Sequence, residues 1–201
     1  MQDIYLKRVC EFIASKKEWY GKRFGYSACE LWLCVEACNI LNFDSDASFV
    51  NNKENKCCFN EDGKRDLSIY DDELNIIANH IEVKVLYPSY GSAKSENKIK
   101  EVFDKFNIND SACSENLHGW FFLIWSSMNK GSFLSPENFF SQTIQKIENL
   151  AVNDRNFAGN KLEMIPVLKE IFKWRGADKE IVVQAVSVKN TIKTVGKTSI
   201  V

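Results

Sequence analysis

Lys64-Arg-Asp-Leu-Ser-Ile-Tyr-Asp-Asp-Glu-Leu-Asn-Ile-Ile-Ala-Asn-His-Ile-Glu-Val-Lys-Val-Leu86 carries the alternation on which the reading of this chain turns. It predicts two strands joined by a polar turn at Asp71, Asp72, Glu73, Leu74 and Asn75. Successive side chains of a strand point to opposite faces. Leu67 and Ile69 therefore share one face, and Asp66, Ser68 and Tyr70 the other. On the second strand Ile81, Val83 and Val85 make the apolar side, with His80, Glu82 and Lys84 opposite. Paired as neighbours, these strands bring Asp66, Glu82 and Lys84 to one spot beside a packed sheet. Two carboxylates and an ammonium in one place suit a hard divalent cation and a phosphate.

The rest of the chain sets bounds on that reading. With 201 residues and 45% apolar content it can bury one good core, and one domain over 1–201 is expected. The net charge of -1 gives no global basic field toward nucleic acid. Its distribution is less even: Asp44 to Glu82 holds ten acidic and four basic residues, Lys161 to Val201 eight basic and four acidic. An acidic centre flanked by basic segments suits a cation and a phosphate-bearing ligand, and solvated surface has the same look. The N-terminus has no secretory pattern, and Trp120 to Trp125 is too short to span a bilayer, so a cytoplasmic protein with no membrane partner is expected. Seven cysteines without a C-x-x-C pair read as buried, reduced thiols rather than structural zinc ligands.

In chain order, a first helix is expected over residues 3–19, with Leu6, Val9, Cys10 and Ile13 inward. A basic break follows at Lys22-Arg23 between Gly21 and Gly25. A second helix is expected from Ser27 to about Asn42, with Leu31, Cys34, Val35, Cys38 and Leu41 as its stripe. Glu30 lies about 90° from the centre of that stripe, able to border the core, while Glu36 faces water. Residues 43–56 read as a surface loop, Cys57 to Asn60 as a short strand, and Glu61-Asp62-Gly63-Lys64 as a hairpin turn leading into the two opening strands.

Next come a helix from about Ala93 to Phe106, with Ile99, Val102, Phe103 and Phe106 inward, and a doubly covered strand at Gly119 to Trp125. Lys94, Lys98 and Lys105 lie off the helix stripe, facing phosphates or water. Ser135-Pro136-Glu137 starts a helix that runs to about Val152. A further helix is expected over Pro166 to Trp174 and a strand over Ile181 to Val188.

Asp66 opening one strand and Glu82-Val83-Lys84 on the next resemble the PD-(D/E)xK nuclease superfamily, the restriction endonuclease-like fold. Arg65 stands where that pattern often has proline. The αβββαβ order over roughly residues 27–126 is the second point of likeness, leaving about 127–201 as C-terminal elaboration. The resemblance implies an α/β fold with a mixed central sheet flanked by helices, plus extra C-terminal helices and a strand. It implies catalysis by Asp66, Glu82, Lys84 and Glu30, and a Mg²⁺ site (Mn²⁺ able to replace it) held by Asp66, Glu82, Glu30 and the Val83 carbonyl. Gly25-Tyr-Ser-Ala-Cys-Glu30 looks like the usual setting of that helix glutamate, although Ser27-x-x-Glu30 is also a capping box.

Such a site would hydrolyse phosphodiesters, Lys84 orienting or deprotonating the attacking water. The expected protein is a Mg²⁺-dependent DNA endonuclease of restriction or antiviral defence type, a homodimer on double-stranded DNA. The alternatives are action on branched DNA or RNA, and a non-catalytic binding module. The plainer reading of the trio is a solvated sheet face with a cross-strand Glu/Lys pair. His80 reads as a hydrogen-bonded partner and His118 as a strand-edge residue, while Tyr87, Tyr90 and Lys94 are candidates to line a substrate groove.

Overall fold

A computed structural model of the chain describes residues 3–26, 29–61, 65–107, 117–154, 157 and 161–189. Three helices come first, α1 (Ile4–Ser15), α2 (Lys17–Tyr26) and α3 (Glu30–Asn39), the last running into a π-helical turn at Ile40–Asp44. Strands β1 (Lys56–Asn60), β2 (Leu67–Asp71) and β3 (Ile76–Leu86) follow, then α4 (Ser92–Asn107), β4 (Leu117–Ser126), α5 (Pro136–Asn153), β5 (Glu163–Trp174) and β6 (Ala177–Lys189). The six strands form one mixed sheet in the order β1-β2-β3-β4-β6-β5. Only β3 and β4 run parallel, which requires the α4 crossover between them. All other neighbours are antiparallel.

The alternation of β4 divides the core. Trp120, Phe122 and Ile124 point into the layer holding α1, α2 and α3, while Phe121, Leu123 and Trp125 point toward α4 and α5. Every residue of β4 is buried, as a continuously apolar strand requires. The hairpin of β2 and β3 forms as the opening stretch predicts, with Leu67 opposite Ile81 and the turn between Asp71 and Ile76. Of the expected hairpin turn at 61–64, residues 62–64 lie outside the described residues. The four expected inward residues of α1 are all buried, and Ser135 caps α5 by accepting from the Asn138 N–H.

Several expectations need correction. Pro166 to Trp174 is not a helix but most of β5, so the C-terminal elaboration is one helix and a two-stranded hairpin. Arg175 and Gly176 both have positive φ, 48° and 80°, the backbone of a tight two-residue hairpin turn. Pro166 sits on the edge strand at a register shift, where a missing N–H costs no ladder bond. At Gly21 and Gly25 the chain is helical in α2. A Cβ on Gly21 would lie 3.1 Å from Glu170 Cβ, and one on Gly25 2.8 Å from Phe172 Cζ, so these glycines let α2 lie close on β5.

The buried stripe of α3 is Leu33, Cys34, Ala37 and Cys38, leaving Leu31 and Val35 exposed. Residues 31–35 are five consecutive apolar side chains, so periodicity does not fix which edge turns inward. This rotation puts Glu30 in line with the buried stripe rather than beside it. Glu36, expected in water, is half-buried and accepts from the Tyr20 hydroxyl. The segment after the π-helical turn is not all surface either, because Phe49 is fully buried against Tyr5.

Asp3 ties the two ends of the described chain together. Its Oδ1 accepts from the Leu6 N–H, capping α1, and its Oδ2 accepts from Trp120 Nε1 at 2.9 Å and Ser187 Oγ at 2.6 Å. His118 Nδ1 lies 2.8 Å from the same oxygen. Burial opposes the charge of Asp3, but His118, Ser187 and the Leu6 N–H outweigh it and hold the carboxyl far below its ordinary value. His118 is thus a buried residue of an interior strand.

Candidate functional site

The pairing of β2 with β3 ends at Leu67 and Ile81, so among the described residues β3 continues past that point without a strand neighbour on that side. Its N–H groups there need other acceptors. Val83 N–H donates to Asp66 Oδ2 at 2.8 Å, and Val85 N–H to Glu30 Oε2 at 3.2 Å. Two carboxylates from distant parts of the sequence thereby stand along the bare edge of β3. Asp66 sits just ahead of β2, and Glu30 reaches in from the first turn of α3.

Glu82 and Lys84 leave β3 on the face toward α4, opposite the apolar row of Ile81, Val83 and Val85. The Lys84 ammonium is 3.0 Å from Glu30 Oε1 and 3.7 Å from Asp66 Oδ2. The expected convergence of Asp66, Glu82, Lys84 and Glu30 is therefore what the structure places here. Ser27, the other half of the capping box, lies outside the described residues, and the Glu30 oxygens are bonded to Lys84, Lys98 and the Val85 N–H.

Sequence reasoning left Lys98 and Lys105 facing phosphate or water, and both turn into this cluster. Lys98 Nζ is 3.0 Å from Glu30 Oε2. Lys105 Nζ is 2.5 Å from Glu82 Oε2 and 4.0 Å from Asp66 Oδ1. A signal for them exists: they are two helical turns apart, on the edge of α4 beside Ile99, Val102 and Phe103. The crossover between parallel strands must lay that helix over the strand bearing Glu82 and Lys84. Gly119, directly opposite Glu82 on β4, lets the helix come close, since a Cβ there would lie 2.7 Å from Val102 Cγ1.

The titration of these groups follows from their neighbours. Glu82 is fully buried, and burial together with the Asp66 charge pushes its carboxyl up to about 7, against the pull of Lys105. Burial also opposes ionisation of Glu30 and Lys84, but the Asp66 charge beside Lys84, the mutual attraction of the two groups and their hydrogen bonds outweigh it. Glu30 titrates below its ordinary range and Lys84 above its own.

Glu82 Oε1 is a buried oxygen with no hydrogen-bond partner among the described residues. A buried carboxylate with one orphan oxygen, beside Asp66, is a donor set that fits a hard divalent cation. Among the described residues no three His, Cys, Asp or Glu side chains come together closely enough to hold a metal ion by themselves. Instead, lysine ammoniums bridge the carboxylates.

The other candidates fall around this centre. His80 Nδ1 is 3.1 Å from Ser68 Oγ, a hydrogen-bonded partner as expected. Tyr87 is buried with its hydroxyl 3.2 Å from Cys29 Sγ. Tyr90 packs edge-on against Tyr87 and carries Lys94 over its ring at 4.3 Å, with Lys98 at 5.7 Å. No described helix is long and apolar enough to cross a membrane. The chain matches no protein-family model, no curated protein and no solved structure.

Proposed function

We propose that the protein is a Mg²⁺-dependent nuclease of the PD-(D/E)xK kind, hydrolysing phosphodiester bonds of double-stranded DNA, with restriction or antiviral defence as its role. The observation that carries this reading is the meeting of Asp66, Glu82, Lys84 and Glu30 at the bare edge of β3. Sheet geometry alone does not require it, because Glu30 is 54 residues from Lys84 and arrives from a different layer.

Asp66 and Glu82 would hold the cation, with Glu30 beside them. Bound there, a divalent cation supplies charge neutralisation at the scissile phosphate and acidifies a water molecule. The chain's own residues do the rest. The Lys84 ammonium, fixed by Glu30 and Asp66, is placed to orient the attacking water and to stabilise negative charge on the phosphoryl oxygens. Its position on the same strand face as Glu82, two residues along, keeps those two tasks in register. Lys98 holds Glu30 from the outer side.

A specific observation favours a second reading. Each of the three carboxylates has a lysine partner, so the cluster is internally neutralised and can serve as a structural tie in a non-catalytic binding module. Incubation of plasmid DNA and of RNA with Mg²⁺ separates the two, comparing wild type with Asp66→Ala and Lys84→Ala. Discrete DNA fragments lost in both variants support the endonuclease, and cleavage of RNA alone moves the substrate. Equal inertness of all three proteins, with no metal binding in calorimetry, leaves the binding module.

A further inference from the structure

We infer that the Lys105 ammonium is a resident counter-ion in the cation position, and that a divalent metal ion enters by displacing it. This inference rests on the proposed metal site and assigns to it a gate that the Asp, Glu-x-Lys pattern does not contain.

Lys105 Nζ lies between Asp66 Oδ1 and Glu82 Oε2, the two carboxylates that a shared cation would bridge. Of the three lysines at the site it is the most exposed, with 36% of its side chain accessible against 7% for Lys84 and 22% for Lys98. Lys84 is locked between Glu30 and Asp66 and Lys98 is bound to Glu30, so Lys105 is the ammonium with both a carboxylate pair to leave and a route to solvent. It stands near the end of α4, where its long stem can swing outward while the helix stays on the sheet through Val102 and Phe103.

The exchange is favourable in kind. A divalent ion carries twice the charge of the ammonium and approaches carboxylate oxygens to about 2.1 Å, nearer than any N–H donor. Glu82 Oε1, which the lysine leaves unpartnered, is a further oxygen that such an ion could take. No covalent bond changes; one cation replaces another. In the metal-free protein Lys105 prevents three carboxylates from facing one another with too little positive charge between them. The cost is a weaker apparent affinity for the metal, since each binding event must first break the ion pair.

The test is calorimetric titration of Mg²⁺ and Mn²⁺ into wild type, Lys105→Met and Lys105→Arg, with melting curves of each protein with and without metal. The expected result is that Lys105→Met binds roughly tenfold more tightly than wild type. It should melt lower without metal and gain more from it, while Lys105→Arg behaves as wild type. A second measurement needs no variant: amine labelling of the wild-type protein should rise at Lys105 on adding Mg²⁺ and stay unchanged at Lys84. If Lys105→Met and wild type bind the metal equally, or if labelling of Lys105 does not change while metal binds, the gate is refuted and the metal site stands. If no protein binds either ion at millimolar concentration, the metal site fails and takes the gate with it.

Discussion

The Val83 backbone N–H donates to Asp66 Oδ2 at 2.8 Å, across the gap that opens where β2 stops pairing with β3. The carboxylate takes the place of a missing strand neighbour, and its charge bears on Glu82, whose carboxyl titrates near 7 partly because of it. Asp66→Ala should therefore move the Glu82 titration downward, leaving burial to act against the pull of Lys105 and Lys84. Carbon-13 NMR of the Glu82 carboxyl across pH 4 to 9, read without divalent ions, checks this. An unchanged midpoint would mean that the Asp66 charge does not contribute.

The same carboxyl makes stability depend on pH. Its folded value is raised from the ordinary 4.5 to about 7, so the folded state takes up a proton in that window. Its contribution is fully present below 4.5, falls as pH rises through 7, and is flat beyond. Glu82→Gln carries no such dependence. Between pH 5 and pH 8, the variant should gain on wild type by up to about 3 kcal/mol in urea unfolding with EDTA present. A constant difference between the two proteins would contradict it.

Asp3→Ala should be far more damaging than a surface change. The fully buried carboxylate accepts from Leu6, Trp120 and Ser187 and faces His118, and its removal leaves those donors unpaired. A loss of about 3–5 kcal/mol is expected from urea unfolding at pH 7. Because the Asp3 carboxyl is held far below its ordinary value, this stabilisation is present at neutral pH. It disappears only in strong acid, where wild type and variant should converge.

Gly119→Ala tests the seating of α4. The added Cβ would meet Val102 Cγ1 at 2.7 Å and Val188 Cγ2 at 2.8 Å, so either the helix or β6 must shift. A loss of about 1–3 kcal/mol is expected. Because Lys98 and Lys105 reach the site from α4, the same change should raise the amine reactivity of both, a readout that a general loss of stability below the melting range would not give.

Much of the chemistry-bearing part was legible because it is written in short-range alternation. Strand period two puts Glu82 and Lys84 on one face and Val83 and Val85 on the other, and the structure keeps that division. What stayed hidden depends on choices made between distant segments. The apolar run at residues 31–35 left the rotation of α3 undetermined, and so the place of Glu30 in line with the buried stripe. Lys98 and Lys105 look like surface lysines until the crossover lays α4 over β3. Pro166 to Trp174 carries a pattern that suits a helix, and only its pairing with β6 makes it a strand.

The Asp3 carboxylate binds Ser187, 184 residues away, and the Asp3 N–H donates to Glu163 Oε2. During synthesis the opening helix thus leaves the ribosome long before its acceptors and donors exist. Until β6 emerges, Leu6, Val9, Cys10 and Ile13 have no finished wall to rest on. A contact of that sequence span is among the slowest to close. The docking of α1 is completed only with β5 and β6 in place, and until then its apolar stripe is uncovered, open to chaperones or to aggregation.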